Sequence, residues 1–176
     1  MRTHKQAGFT LIEILFVTAL IGIISAMALP RLLMAKQAAD ASSAIGSLRT
    51  INSSELGYSS SCGGGFYAPA LPVLAISPPG SNSPFISPDL SYAVSPVKSG
   101  YTIQLTGTAD PGAPTTCNGQ PAGSASKSFK AGADPGTPTN FRYFATNSAN
   151  TIYEDAVTMY AAMPEVGVPA TGHPLE

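Results

Sequence analysis

An apolar run close to the N-terminus constrains this chain more than any other feature. Residues 9–29 contain a single charged side chain, Glu13, and the next charge is Arg31. A helix of about 21 residues, at about 1.5 Å per residue, is about 31 Å long and matches the hydrocarbon core of a bilayer. The run therefore predicts a membrane-spanning helix, and Arg2 and Lys5 ahead of it predict a cytoplasmic N-terminus.

Glu13 indicates a functional site, because a carboxylate inside an apolar span is costly to place in lipid. It closes the hexapeptide Gly8-Phe9-Thr10-Leu11-Ile12-Glu13, which follows a short basic leader. This arrangement resembles the class III signal of type IV pilins and type II secretion pseudopilins. The resemblance implies that a prepilin peptidase cuts between Gly8 and Phe9 and then N-methylates Phe9.

The same resemblance implies a role for Glu13 in assembly. Cleavage gives Phe9 a free α-amine, and an unpaired ammonium or carboxylate is costly in lipid. Docking Phe9 of an incoming subunit beside Glu13 of an assembled one would neutralise both charges and set the axial register. Alternatively, Glu13 extends toward the cytoplasmic headgroups, since it lies one turn inside the span. The two roles can follow each other, before and after assembly.

Two other interpretations of the N-terminus stay open. Ala26-Met27-Ala28 has the small-x-small form of a secretory cleavage site, and an uncleaved single-pass anchor needs no processing at all. A secretory signal would have an unusually long apolar region, and that region would contain Glu13. Neither alternative explains why a carboxylate follows a Gly-Phe junction at this spacing.

The helical pattern continues beyond Pro30. Proline removes one helical hydrogen bond and clashes with the preceding turn, so we expect a kink or local melting at Pro30, and Gly22 is a second weak point for a helix break. The resemblance implies loosening between these two residues in a filament, and the alternative is a simple kink at the membrane surface. Apolar residues then recur at steps of three and four, which predicts an amphipathic helix to about Tyr58. These residues are Met34, Ala38, Ala41, Ile45, Leu48 and Ile51.

Beyond the helix the sequence favours a small antiparallel sheet. Tyr101, Ile103 and Leu105 alternate with polar residues, and residues 90–97 are expected to pair with them as a hairpin through a turn at Lys98-Ser99-Gly100. A turn is predicted at residues 134–136, and further strands at residues 141–146 and 151–157. With the family's fold, this gives an α+β, pilin-like chain in which three or four strands pack on the second half of the helix.

The predicted organisation has six parts. They are a leader at 1–8, a transmembrane or filament-core helix at 9–29, the amphipathic half of that helix at 30–58, a connecting loop at 59–88, a sheet domain at 89–162 and an irregular tail at 163–176.

Cys62 and Cys117 are the two cysteines of the chain. If the part after the span lies outside the membrane, a disulfide between them is the leading interpretation, and two buried free thiols are the alternative. His4 and His173 lie at the two ends, so the four residues have no usable spacing for a zinc site.

The composition argues against several classes of function. The net charge is −1, and a mildly acidic chain does not favour nucleic-acid binding. We find no nucleophile, base or metal motif of an enzyme. Some secretion pseudopilins bind Ca²⁺ in a C-terminal loop, but Asp110, Asp134, Glu154 and Asp155 are too scattered to match that pattern. No cofactor is therefore predicted, and Ca²⁺ is the one that the resemblance leaves open.

The sequence as a whole predicts a non-enzymatic structural subunit of a type IV pilus-like filament. The resemblance implies a precursor in the bacterial inner membrane, held by lipid until a prepilin peptidase and an inner-membrane assembly platform act on it. It would then polymerise with itself into a filament at the cell surface or across the periplasm. A type II secretion pseudopilin is the alternative within the family. A secreted or anchored binding domain that never polymerises is the alternative outside it.

Overall fold

The computed structural model describes residues 8–136 and 142–175, and the chain divides into two compact units at Ala39 and Asp40. Arg2 and Lys5 of the predicted leader lie outside the described residues, as does Phe141, the first residue of a predicted strand. Helix α1 (Leu11–Ser61) contributes its first part to the N-terminal unit and its last turns to the C-terminal unit.

The N-terminal unit consists of α1 from Leu11 to Ala39. The helix runs through Gly22 and Pro30 without interruption, and a kink at Pro30 stays a prediction. A lone proline removes one hydrogen bond, and the turns on either side maintain the helix. Loosening of this segment inside a filament stays a prediction.

The C-terminal unit is built on a six-stranded antiparallel sheet in which each strand pairs with the next along the chain. The strands are β1 (Val97–Lys98), β2 (Tyr101–Thr106), β3 (Lys130–Pro135), β4 (Tyr143–Asn147), β5 (Ile152–Asp155) and β6 (His173–Pro174). A short helix, α2 (Leu71–Leu74), and a 3₁₀ turn (Pro88–Leu90) lie between α1 and the sheet. The predicted α+β class is confirmed, with more strands than the three or four expected.

One face of the sheet packs on the last turns of α1. Ala41, Ala44, Leu48 and Ile51 are buried and share a core with apolar side chains of β2, β3 and β4. Those sheet residues are Tyr101, Ile103, Leu105, Ala131, Ala133 and Phe144. Because this stripe recurs every three or four residues, it faces the sheet along one side of the helix.

Met34 and Ala38 were expected to belong to this stripe, and both are exposed. They lie in the N-terminal unit, whose described residues form no strand. The stripe therefore begins at Ala41, later than the sequence predicted.

The predicted hairpin forms, but its first strand is shorter than expected. Only Val97 and Lys98 pair with β2, because Leu90 ends a 3₁₀ turn and Pro96 has no N–H to donate to a ladder. Ser99 and Gly100 close the hairpin with φ values of 48° and 75°, the positive pair that a two-residue type I′ turn requires.

Strand β3 was not predicted at all. Residues 134–136 were expected to form a turn, whereas β3 extends to Pro135 and pairs with β2 along its whole length. Ala131, Gly132 and Ala133 form its centre, and such small residues carry little strand signal. The strand is stabilised by its two neighbours rather than by its own propensity.

The second face of the sheet is covered by the end of the chain. Residues 158–175, here called the C-terminal strap, were predicted to be largely irregular and exposed from residue 163 onward. Most of residues 163–175 are exposed and irregular, as predicted, but Met163 is buried with Met159, Ala145 and Tyr153 in a second core, and β6 pairs with β5. The helix and the strap therefore lie on opposite faces of one sheet.

Polar contacts hold the strap in place. The Glu165 carboxylate accepts hydrogen bonds from the Thr108 N–H at 2.9 Å and from Ser128 Oγ at 2.9 Å. Asn147 Nδ2 donates to the carbonyls of Pro164 and Gly167 at 3.0 Å and 2.8 Å. The strap is therefore an ordered layer of the unit.

Candidate processing and assembly site

The predicted processing site lies directly before the first turn of α1. Thr10 caps the helix: its Oγ1 accepts from the Glu13 N–H at 3.3 Å, and its carbonyl accepts from the Glu13 and Ile14 N–H groups at 3.1 Å and 3.3 Å. Thr-x-x-Glu is a helix-capping pattern, and this signal in the sequence marks the start of the helix. The helix consequently begins two residues after the predicted cut.

The peptide bond between Gly8 and Phe9 is accessible. Both residues are exposed, Phe9 to 80%, and a Cβ added at Gly8 would meet no atom within 4 Å. The fold of the described chain therefore does not require glycine at position 8. A requirement for glycine there would come from a protein that recognises this bond.

Glu13 lies exposed in the first turn, where a carboxylate interacts favourably with the N-terminal end of the helix dipole. The nearest cation further along the helix is Arg31, 18 residues away in sequence, which places it about 27 Å along the axis. Residues 8–30 contain no lysine, arginine or histidine. A cation for Glu13 must therefore come from the residues before Gly8, from an α-amine that cleavage creates or from another molecule.

The N-terminal unit exposes apolar side chains on all sides of the helix. From Phe9 to Met34 the large apolar residues are 44–80% exposed, far more than the core of a folded domain allows. The most apolar 18-residue window of α1 has a mean hydropathy of 2.4. The helix is therefore long and apolar enough to cross a membrane, a property that a secretory signal shares. Such a surface needs lipid or other protein to cover it.

The structure brings the two cysteines together. Cys62 follows α1 directly and forms a disulfide with Cys117, with a Cα–Cα distance of 4.8 Å. Beside the disulfide, the Cys117 N–H donates to the Cys62 carbonyl at 3.1 Å, and Asn118 Nδ2 donates to the carbonyl of Val73 at 2.9 Å. The bond therefore ties the end of α1 to the loop between β2 and β3.

The acidic residues considered for calcium have other partners. Asp110 forms an ion pair with Lys127 at 2.8 Å, and Lys127 holds the pKa of that carboxyl below its usual value. Asp134 accepts from Thr158 Oγ1 at 2.6 Å. Within residues 8–136 and 142–175, no three His, Cys, Asp or Glu side chains lie close enough to hold a metal ion.

Glu154 is also paired. Its carboxylate accepts from Arg142 Nε at 2.5 Å and Nη2 at 2.9 Å, and this pairing lowers the pKa of Glu154. Asp155 Oδ1 accepts from the N–H of Ala156 at 2.7 Å. These carboxylates therefore stabilise the sheet and its turns.

Comparison with known proteins finds one match. Residues 3–29 match the family model described as the prokaryotic N-terminal methylation motif, which covers the predicted signal and the apolar helix. No curated protein and no solved structure matches the chain. The match lies wholly outside the C-terminal unit, whose architecture rests on the structure alone.

Proposed function

We propose that this chain, whose N-terminal methylation motif supports the type IV pilin and pseudopilin family, is a structural subunit of a type IV pilus-like filament. The motif at residues 3–29 is the single observation that carries the proposal. It implies a prepilin peptidase as the first partner, with cleavage between Gly8 and Phe9 and N-methylation of Phe9.

The physical argument for polymerisation begins with the N-terminal unit. Its apolar side chains are exposed on every side of α1, so a subunit that leaves the bilayer must bury them against other copies. Helices from many subunits, packed together, would form the core of a filament. Lipid covers the same surface before assembly.

Glu13 provides the register in this proposal. It has no cation among its neighbours on the helix. The α-amine that cleavage creates at Phe9 is positively charged near neutral pH and lies at the same end of the helix. Pairing Phe9 of one subunit with Glu13 of another neutralises both charges and fixes the axial offset between the two helices.

The C-terminal unit forms the filament surface in this proposal. Its disulfide suits a compartment outside the cytoplasm, as expected if Arg2 and Lys5 keep the N-terminus inside. A pseudopilin of a secretion system is the second candidate, because the motif is common to both kinds of subunit. Localisation at the cell surface favours the pilus, and confinement to the periplasm favours the pseudopilus.

The test is the intact mass of the chain purified from its native membrane or surface fraction. We expect a chain that starts at Phe9, carries one added methyl group and lacks two hydrogens because of the disulfide. A chain that starts at Leu29 would indicate ordinary secretion, and one that starts at Met1 would indicate an unprocessed anchor. Electron microscopy of sheared surface material should then show filaments that contain this chain, which a non-polymerising binding domain would not form.

A further inference from the structure

Glu55 is a buried carboxyl group of the C-terminal unit, and the described residues give it no counter-ion. Its side chain is 0% exposed, on the face of α1 that packs inside the C-terminal unit. Oε2 accepts from the N–H of Ala68 at 2.8 Å, whereas Oε1 has no hydrogen-bond partner among the described residues. A carboxylate in this position would lack most of the solvation that it has in water.

The segment that Glu55 holds is attached to the unit by backbone hydrogen bonds and by the core, in which Ala68 is fully buried. Tyr67 exchanges backbone hydrogen bonds with Ser126 at 2.7 Å and 2.9 Å, and the carbonyl of Pro69 accepts from the Gly107 N–H at 3.2 Å. Glu55 supplies the contact from the helix side. Residues 66–70 are therefore clamped between α1 and the loop that joins β2 to β3.

Between residues 52 and 55, Glu55 is one of three side chains that hydrogen-bond to the unit outside α1. Asn52 Nδ2 donates to Thr146 at 3.0 Å, and Ser54 Oγ donates to the carbonyl of Phe85 at 2.8 Å. Asparagine and serine stay neutral at every pH that the protein meets. Of these three side chains, only that of Glu55 can gain or lose a charge.

The groups that face Glu55 provide no opposite charge. Residues 62–88, which include the segment that it holds, contain no Asp, Glu, Lys, Arg or His. On its own helix the Tyr58 hydroxyl interacts with it, and burial together with the Glu55 charge raises the pKa of that tyrosine. In the loop that carries Ser126, Lys127 is paired with Asp110 at 2.8 Å.

We propose that Glu55 is a proton-controlled latch, which holds residues 66–70 on α1 while it is protonated and releases them when it gives its proton to solvent. Opening admits water to the carboxylate and breaks the hydrogen bond to Ala68. The latch acts within the C-terminal unit and is independent of whether the chain polymerises.

The direction of the pH effect follows from the burial of this group. Desolvation raises the pKa of Glu55 from 4.5 to about 8, and the hydrogen bond from Ala68 opposes this in part. An acid with a higher pKa in the closed state keeps its proton longer there, so closure is strongest at low pH. The stability of the closed state falls as the pH rises from about 4.5 to about 8, and it is constant above pH 8.

Hydrogen exchange of the Ala68 amide in the full-length processed chain, held in detergent micelles, tests the latch. After division by the intrinsic exchange rate, the opening equilibrium should rise roughly tenfold per pH unit between about pH 5 and 8. Glu55→Gln keeps an acceptor for Ala68 and cannot ionise, so its opening equilibrium should not change with pH. Ser54→Ala is the matched control: it should shift opening by a constant factor and keep the wild-type slope.

A pH-independent opening equilibrium in the wild type, or equal slopes in the wild type and Glu55→Gln, would overturn the proposal. Should Glu55→Gln not fold, the carbon-13 carboxyl signal of Glu55 in the wild type decides the question. A titration midpoint near pH 8 supports the latch, and a midpoint near 4.5 refutes it.

Discussion

Asn52 of α1 and Thr146 of β4 form a hydrogen bond inside the C-terminal unit, although 94 residues separate them in sequence. Asn52 Nδ2 donates to Thr146 Oγ1 at 3.0 Å. The single hydroxyl hydrogen of Thr146 is directed to Asn52 Oδ1 at 3.3 Å or to the Thr151 carbonyl at 3.0 Å. This buried contact fixes the helix against the centre of the sheet in one register.

Asn52→Leu should therefore destabilise the C-terminal unit. The substitution leaves the Thr146 hydroxyl without its donor in a dry environment, and the free energy of unfolding should fall by about 1–3 kcal/mol. Chemical denaturation of the processed chain in micelles, followed by circular dichroism, measures the change. Ser53→Ala is the matched control, because Ser53 is exposed and bonds only within its own helix. Equal stability of Asn52→Leu and wild type would show that the contact contributes nothing.

The second prediction concerns Gly132 on β3. A Cβ at this position would lie 2.6 Å from the Cβ of Tyr160, so the strap can cover the sheet only where β3 has glycine. Gly132→Ala should push the strap away from the sheet, at a cost of about 1–3 kcal/mol. Limited proteolysis should then cut within residues 158–175 faster than in the wild type.

Gly46→Ala provides the comparison for that experiment. Gly46 is exposed on α1, and an added Cβ there meets nothing within 4 Å, so the change should raise stability by about 0.5–1 kcal/mol. If the strap of Gly132→Ala resists proteolysis as well as that of the wild type, Tyr160 moves aside without loss of stability.

The third prediction concerns the disulfide. It closes a loop whose ends are 55 residues apart, and the chain-entropy estimate for such a loop is about 4 kcal/mol. Replacing Cys62 and Cys117 together with serine should lower the melting temperature of the C-terminal unit. Reducing agent should have the same effect on the wild type and no effect on the double variant. An unchanged melting temperature would show that the bond does not stabilise the fold.

The sequence predicted the parts of this chain that have a strong local signal. The apolar run, Glu13 and the period-two pattern of Tyr101–Thr106 each reflect the local environment of a helix or a strand. Cys62 and Cys117 could be paired because the chain has no other cysteines. The hairpin at Ser99 and Gly100 followed from ordinary turn chemistry.

The features that were missed depend on contacts between distant residues. Strand β3 has small residues at its centre, and it is a strand because β2 and β4 both pair with it. The strap is rich in proline and glycine, which indicates irregular chain, yet Met159 and Met163 bury against the sheet. Burial of Glu55 could not be predicted either, because it depends on the position of residues 66–70.

The last prediction tests the role of Glu13. Glu13→Gln removes the charge and keeps the size of the side chain, so the helix and the exposed Gly8–Phe9 bond should be unaffected and cleavage should proceed. Filament yield should fall severely, because the Phe9 amine of an incoming subunit would have no carboxylate to pair with. The measurement is the amount of sheared filament relative to processed chain in the membrane.

Thr18→Ala is the control for Glu13→Gln. Thr18 is a polar residue of the same apolar segment, and its hydroxyl is already bonded to the Leu15 carbonyl at 3.0 Å. Its loss should leave filament yield unchanged, which separates the effect of charge from that of polarity. Normal yield from Glu13→Gln would refute the pairing, while the methylated Phe9 terminus would still establish processing. Loss of yield in both variants would mean that general packing of the helix, rather than the charge of Glu13, limits assembly.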